Sequence, residues 1–335
     1  MIRLSVLDQS HISEGRTARD ALSETTRLAQ EAENSGYTRF WVSEHHAFKA
    51  LAHSSPEVLI AHLAAHTSHI RLGSGGVMLP HYSAYKVAEN FRLLEALHPG
   101  RIDVGFGRAP GGLPLSTRAL QEGKYSDIDN YPEQVTDVMA YLHDALPEDH
   151  PYARLKASPM IATAPPVWLL GSSNESARIA ARLGVSYGFA QFFGVTGGDE
   201  AFRLYREAFR PSPYQEKPMS LAAVLVICAE TDEEANRLAA SSDLFFLRLE
   251  RGLEQDSLPS VETAYDYPYT ELDMDIIRRG RQRRFVGSPE TVKEQLLALS
   301  ERFRTDELMV VTPVHDFAAR IRSYQLLAEA FELKK

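Results

Sequence analysis

Short apolar runs alternate with longer segments of helical periodicity along the whole chain. Eight runs read as strands: 2–7, 39–42, 70–75, 102–106, 167–170, 187–190, 221–227 and 307–311. Most lack the strict in/out alternation of a half-exposed strand, as expected where both faces are covered. Between them the period lengthens to that of a helix. In the segment from Ala18 to Ser35, residues Ala21, Leu22, Thr25, Leu28, Ala29 and Ala32 form one apolar stripe, and Gly36 ends it. Gly184 punctuates the segment from Ser176 to Leu183 in the same way, with Ser173 or Asn174 as the N-cap. Eight β/α alternations favour a closed (β/α)8 TIM barrel over an open doubly wound sheet, which usually shows about five or six strands.

At 335 residues the chain fits one barrel domain, 1–335, since such barrels run from about 200 to more than 400 residues. Two stretches break the alternation. From Glu250 to Arg284 the chain carries Pro259, Pro268, three tyrosines and the basic cluster Arg278-Arg279-Gly280-Arg281-Gln282-Arg283-Arg284, with no clear strand. This 250–284 segment reads as an insertion before the last β/α unit, either a lid over the site or a solvated surface excursion. The stretch from Arg108 to Tyr131, with Gly111-Gly112-Leu113-Pro114, is expected to arch over the barrel mouth.

Composition narrows the functional classes. Hydrophobic residues at 44% and charged ones at 24% belong to a chain with a sizeable packed core. Thirty-six Lys and Arg against 45 Asp and Glu give a formal charge of −9 without a long basic tract, which argues against a nucleic-acid partner. The single Cys228 rules out a disulfide framework or cysteine metal cluster within one chain and reads as a small buried hydrophobe. The start, Met1-Ile-Arg-Leu-Ser-Val-Leu, does not resemble a secretory signal, and no apolar run reaches membrane-spanning length. A cytoplasmic location without a membrane partner is expected.

In a barrel of this kind functional side chains gather just after the strands, where the βα loops converge. Four successive strand ends carry residues that core packing does not demand: Ser43-Glu44-His45-His46, Gly75-Gly76-Val77-Met78-Leu79-Pro80-His81, Gly107-Arg108-Ala109-Pro110 and Gly171-Ser172-Ser173-Asn174-Glu175-Ser176. The last lies between strand and helix. There, free amides and the helix dipole make an anion site, although the same serines could merely cap the helix. Arg108 is placed to add a charge-assisted contact to a phosphate held there. Gly75 and Gly76 suit either a plain turn or backbone that approaches a ligand closely. His45 and His46 can serve in acid/base work or as ordinary loop residues. Gly105-Phe106-Gly107-Arg108-Ala109-Pro110 is not a dinucleotide fingerprint, because Pro110 replaces the last glycine and no helix opens directly after the strand. His62 and His66 have the i,i+4 spacing of a zinc pair, but they lack the H-E-x-x-H setting and belong to an outer helix. No metal site is expected.

Taken in order, Trp41 to His46, Gly75 to Pro80, Gly100 to Arg108 and Leu170 to Ser173 resemble the successive motifs of the bacterial luciferase-like monooxygenase family, and Val286 to Val292 resembles its C-terminal segment. The resemblance implies reduced FMN, supplied by a separate flavin reductase, reacting with O2 to a flavin hydroperoxide that oxidises a small organic substrate. It places the FMN phosphate on Arg108, Gly171, Ser172, Ser173 and Ser176. Gly75, Gly76 and Val77 would lie along the isoalloxazine, with a cis peptide between the two glycines. It assigns His45 the acid/base role, positioned by Glu44 and His46. Members commonly form homodimers through outer helices, and residues 55–65 are a candidate interface. In luciferase a reactive cysteine precedes the phosphate-binding arginine, whereas Gly107 stands here, so long-chain aldehyde oxidation with light emission is not implied. Two alternatives share the fold: a deazaflavin-dependent dehydrogenase and a non-catalytic flavin-binding protein.

Overall fold

The computed structural model describes residues 2–123, 128–194 and 197–334. Its strands are β1 (Arg3–Asp8), β2 (Arg39–Val42), β3 (Arg71–Ser74), β4 (Val77–Met78), β5 (Ile102–Gly107), β6 (Val167–Gly171), β7 (Ser186–Ala190), β8 (Ser220–Cys228), β9 (Arg284–Gly287) and β10 (Glu307–Val311). Its α-helices are α1 (Ala18–Asn34), α2 (Pro56–Ala65), α3 (Ala84–Leu97), α4 (Pro114–Gln121), α5 (Tyr131–Leu142), α6 (Asn174–Leu183), α7 (Gly198–Ala208), α8 (Asp232–Glu250), α9 (Val261–Tyr265), α10 (Glu271–Arg281), α11 (Pro289–Phe303) and α12 (Phe317–Ala330). Eight parallel strands run in the order β1, β2, β3, β5, β6, β7, β8, β10, and β10 pairs with both β8 and β1, which closes the barrel. The short β4 pairs with β5 just past β3. All eight strands expected from the sequence are present, each within a residue or two of its expected bounds.

Alternation inside each strand sorts the two layers. Leu4 and Val6, Phe40 and Val42, and Val167 and Leu169 pack outward with the helices in the main core. Leu7, Trp41, Trp168, Leu221, Met309 and Val311 fill the barrel interior. One interior layer is ionic. Buried Arg39 donates to Glu307 (2.6 Å) and to Asp103 (2.7 Å), Asp103 also takes Arg71 (2.6 Å) and the Trp41 indole (3.0 Å), and Ser5 donates to Glu307 (2.7 Å). These residues sit at or near the strand beginnings, away from the loops that build the site.

The connection between β8 and β10 departs most from a plain β/α unit. α11 packs between α7 and α12 in the outer ring, while α8 packs on β8 and β9 and carries α9 and α10. The segment 250–284 thus holds α9 and α10, and its companion helix α8 begins earlier, at Asp232. β9 continues alongside β8 from Leu225 to Cys228, beyond the Ser220 to Ala223 stretch that pairs with β7. Glu14 and Ile12 exchange backbone bonds with Leu258 (2.8 Å each), and Lys49 meets Glu254 (2.7 Å). The segment therefore lies against the loops that follow β1 and β2. No helix among the described residues is long and apolar enough to cross a membrane. Cys228 is buried, and burial pushes its thiol up to about 12.

Candidate functional site

Glu44, at the end of β2, organises the next loop. Its buried carboxylate accepts from the Met78 amide (3.0 Å), the Tyr82 hydroxyl (2.8 Å) and His46 Nε2 (2.7 Å). A carboxylate only accepts, so His46 carries its proton on Nε2. The peptide between Gly75 and Gly76 is cis. A Cβ on Gly75 would come within 2.7 Å of Leu7, and one on Gly76 within 2.7 Å of the Gly105 carbonyl. Only glycines let β3 turn this sharply against the barrel wall. Val77 is fully buried in the main core, in register with Phe106 of β5.

His45 bonds through Nδ1 to the Ser43 hydroxyl (3.1 Å) and lies near Phe48. Burial pulls its ring down to about 4, helped by the nearby rings of His53 and His46. Two further histidines join it that the sequence reading gave no role. Burial lowers His11 to about 3, with Arg320 and His45 adding to the effect against Asp8. Burial also lowers His53, neither of whose buried ring nitrogens has a partner. Beneath them Asp8 stays below the ordinary carboxylate range: burial pushes it up, but Arg320, Thr25 (2.6 Å) and the Ser10 amide (3.0 Å) outweigh that. These histidines come from the loops after β1 and β2, so no single run of sequence shows the cluster. His81 after β4 donates from Nε2 to the Pro110 carbonyl (2.7 Å) and leaves its buried Nδ1 free. Gln191 after β7 likewise has a buried, unpartnered Oε1.

The stretch expected to arch over the mouth forms α4 and a short 3-10 turn at 128–130; residues 124–127 lie outside the described residues. Gly111 and Gly112 lie against His46, whose amide donates to the Gly111 carbonyl (2.8 Å).

β5 and β6 pair Phe106 with Leu169, so Arg108 and Gly171 leave neighbouring strands at the same level. Arg108 and Ser172 are exposed. Ser173 is the N-cap of α6, its hydroxyl accepting from the Ser176 amide (3.4 Å), and the Ser176 hydroxyl donates to the Ser173 carbonyl (2.7 Å). Both serines are thus occupied in capping. The amides of Asn174 and Glu175 have no intrahelical acceptor by position and are available to an anion. Gly171 must lack a side chain, because a Cβ there would meet the Ser176 hydroxyl at 2.3 Å. A guanidinium, a free hydroxyl and two amides at a helix N-terminus suit a phosphate dianion.

His62 on the outer α2 and His66 at its C-cap lie ring to ring, 4.2 Å apart and tilted, and His62 bonds to Thr26 (3.1 Å). Among the described residues no group of three or more His, Cys, Asp or Glu is placed to hold a metal ion.

The luciferase-like monooxygenase family profile matches residues 2–306. The chain is 43% identical to the N-acetyl-S-alkylcysteine monooxygenase of Bacillus subtilis (strain 168), over 98% of each chain. It is similar to the solved structure of apo-MsnO8, with a TM-score of 0.92 and 41% identity over 100% of this chain and 99% of that one. The fold alone is shared with two more distant structures. One is the oxygenating constituent of 3,6-diketocamphane monooxygenase from Pseudomonas putida in complex with FMN (TM-score 0.71, 22% identity, 98% and 97% covered). The other is an F420-dependent secondary alcohol dehydrogenase (TM-score 0.67, 14% identity, 100% and 99% covered).

Proposed function

Because this chain belongs to the luciferase-like monooxygenase family, we propose that it is an FMN-dependent monooxygenase that uses reduced FMN from a separate flavin reductase, together with O2, to oxidise a small organic substrate. The observation that carries this reading is the exposed Arg108 and Ser172 at the adjacent ends of β5 and β6, beside the open N-terminus of α6. Arg108, Ser172 and the Asn174 and Glu175 amides would hold the FMN phosphate, while Ser173 and Ser176 keep α6 capped and Gly171 leaves room for that cap. The Gly75 and Gly76 backbone, with that of Val77, would lie along the flavin ring. When bound, reduced FMN supplies the activation of O2.

The protein's own residues then bind, orient and exclude water. Glu44 ties the loop after β2 to Met78 just beyond the glycine pair, so that the two walls of the site move as one. His45, which burial keeps neutral at physiological pH and whose Nδ1 is engaged with Ser43, would serve as the acid/base group. The 250–284 segment, resting on the loops after β1 and β2, acts as a lid that keeps water from the reacting centre. In this reading the protein is cytoplasmic and a homodimer. α2 buries Leu59, Ile60 and Leu63 yet leaves Val58 exposed, and the neighbouring α3 exposes Leu93 and Leu97, apolar positions that a second copy would cover.

The deciding experiment is anaerobic titration of oxidised and photoreduced FMN into wild type and Arg108→Ala. Preference for reduced FMN, weakened roughly ten- to a hundred-fold by loss of a charge-assisted contact, is expected. Binding of a deazaflavin with none of FMN would select the dehydrogenase. Bound reduced FMN that O2 reoxidises at the same rate with and without protein would select a flavin carrier.

A further inference from the structure

Beyond the ends of β7 and β8, a cavity of about 190 Å³ opens between the barrel mouth and the α8 and α10 helices. Phe192, Phe193, Leu225, Phe246, Ile276 and Ile277 give it apolar walls, and Phe192 also packs on the barrel-interior cluster around Trp168. The cavity therefore borders the mouth beside β7 and β8, one strand away from β6, whose end would hold the FMN phosphate.

Its lining charges are unevenly paired. Buried Asp243 is shared by Arg281 (2.6 Å) and Arg284 (2.7 Å), and the other lining carboxylate, Glu250, has Arg279 at 3.9 Å. Arg283 has no carboxylate, and donates only to the Phe193 carbonyl (3.3 Å). Two guanidiniums and two carboxylates line the cavity, but Asp243 is shared with Arg281 and Glu250 faces Arg279, both outside the lining, so among the described residues Arg283 is left without a counter-ion. Arg284 is itself nearly buried, with 6% of its side chain exposed, and stands over the Phe246 ring. Burial, with Arg281 and Arg283 close by, pulls it down to about 10 although Asp243 opposes this. A buried cation that only half owns its counter-ion is stabilised by a further anion.

We propose that this cavity binds a small molecule with an apolar body and a carboxylate, the carboxylate pairing with Arg283 and Arg284 and the apolar part lying among Phe192, Phe246 and Ile277. Planar guanidiniums match a carboxylate in two-point contact, and a cavity this small limits the ligand to a compact one. That this ligand is the compound oxidised rests on the monooxygenase reading; that the cavity is a carboxylate site does not. The relative acting on N-acetyl-S-alkylcysteine has a substrate of this chemistry.

The test uses hexanoate and its neutral counterpart hexanamide as probes, titrated into the full-length protein labelled at isoleucine methyl groups. Hexanoate should shift the methyl signals of Ile276 and Ile277 saturably, with hexanamide at least roughly ten-fold weaker, and Arg283→Gln should remove most of that difference. Equal binding of acid and amide, saturable shifts confined to other isoleucines, or no saturable shift at all would overturn the proposal. The FMN titration is a separate readout. Carboxylate binding without flavin binding would sink the monooxygenase reading and keep the site, and the reverse outcome would do the opposite.

Discussion

Glu44 collects three donors from three points of the chain, and an amide in its place cannot accept all three. Glu44→Gln turns one oxygen into a donor facing Met78, Tyr82 or His46, and is expected to cost about 1–3 kcal/mol of stability in urea unfolding. An unchanged midpoint would show that the carboxylate does not hold these loops together. The buried histidines make a pH prediction. His45 and His11 titrate in the folded protein near 4 and 3, below the value near 6.5 of an unfolded chain, so the unfolded state binds more protons in between. Stability should rise with pH across that window and level off above it. The urea midpoint is expected to fall from pH 7 to pH 4.5, and His11→Asn should flatten the slope. A slope unaltered by that substitution would mean the ring is not held neutral by its surroundings.

At the scale of elements, α6 separates two jobs that neighbouring serines share in sequence. Ser173→Ala removes the cap and should cost about 1 kcal/mol of stability. Ser172→Ala should leave stability within about 0.5 kcal/mol while weakening reduced FMN. Matching losses of stability in both variants would erase the distinction. Sequence alone could not make it, because capping and phosphate binding draw on the same hydroxyls at the same helix start. The eight strands were legible for the opposite reason: being covered on both faces, they are apolar runs with a turn signal at each end. Glu44, Arg108 and the glycine pair were legible as strand-end residues. The partnership of His45 with His11 and His53 was not, since two separate loops must meet to create it. α8 to α10 were read only in part: the prolines and tyrosines of 250–284 marked an irregularity, but α8 has the amphipathic stripe of any outer helix, and nothing local says that it also carries α9 and α10.

For the molecule as a whole, the ionic layer inside the barrel binds strands that are far apart in the chain. Arg39 on β2 joins Asp103 on β5 and Glu307 on β10. Arg39→Met takes from buried Glu307 its 2.6 Å guanidinium, leaving it Ser5 and a longer contact to Arg3, while Asp103 keeps Arg71; it should destabilise the fold by about 3 kcal/mol, measured by denaturant unfolding, and a loss under about 1 kcal/mol would mean that water reaches this layer. β9 has a different bearing. Cys228 and Gly287 are register partners, the Ala229 amide bonds back to the Gly287 carbonyl (3.2 Å), and Asp232 accepts from the Ser288 amide (2.6 Å). The chain thus departs after residue 228 and comes home beside the point it left, one step before α11. Joining Cys228 to Ser288 would leave an ordinary strand-to-helix link, so the 229–287 stretch is a cassette. All eight strands of the closed barrel lie outside that stretch, so in the proposed reading the part that would face the substrate can be exchanged without rebuilding the part that would hold the cofactor.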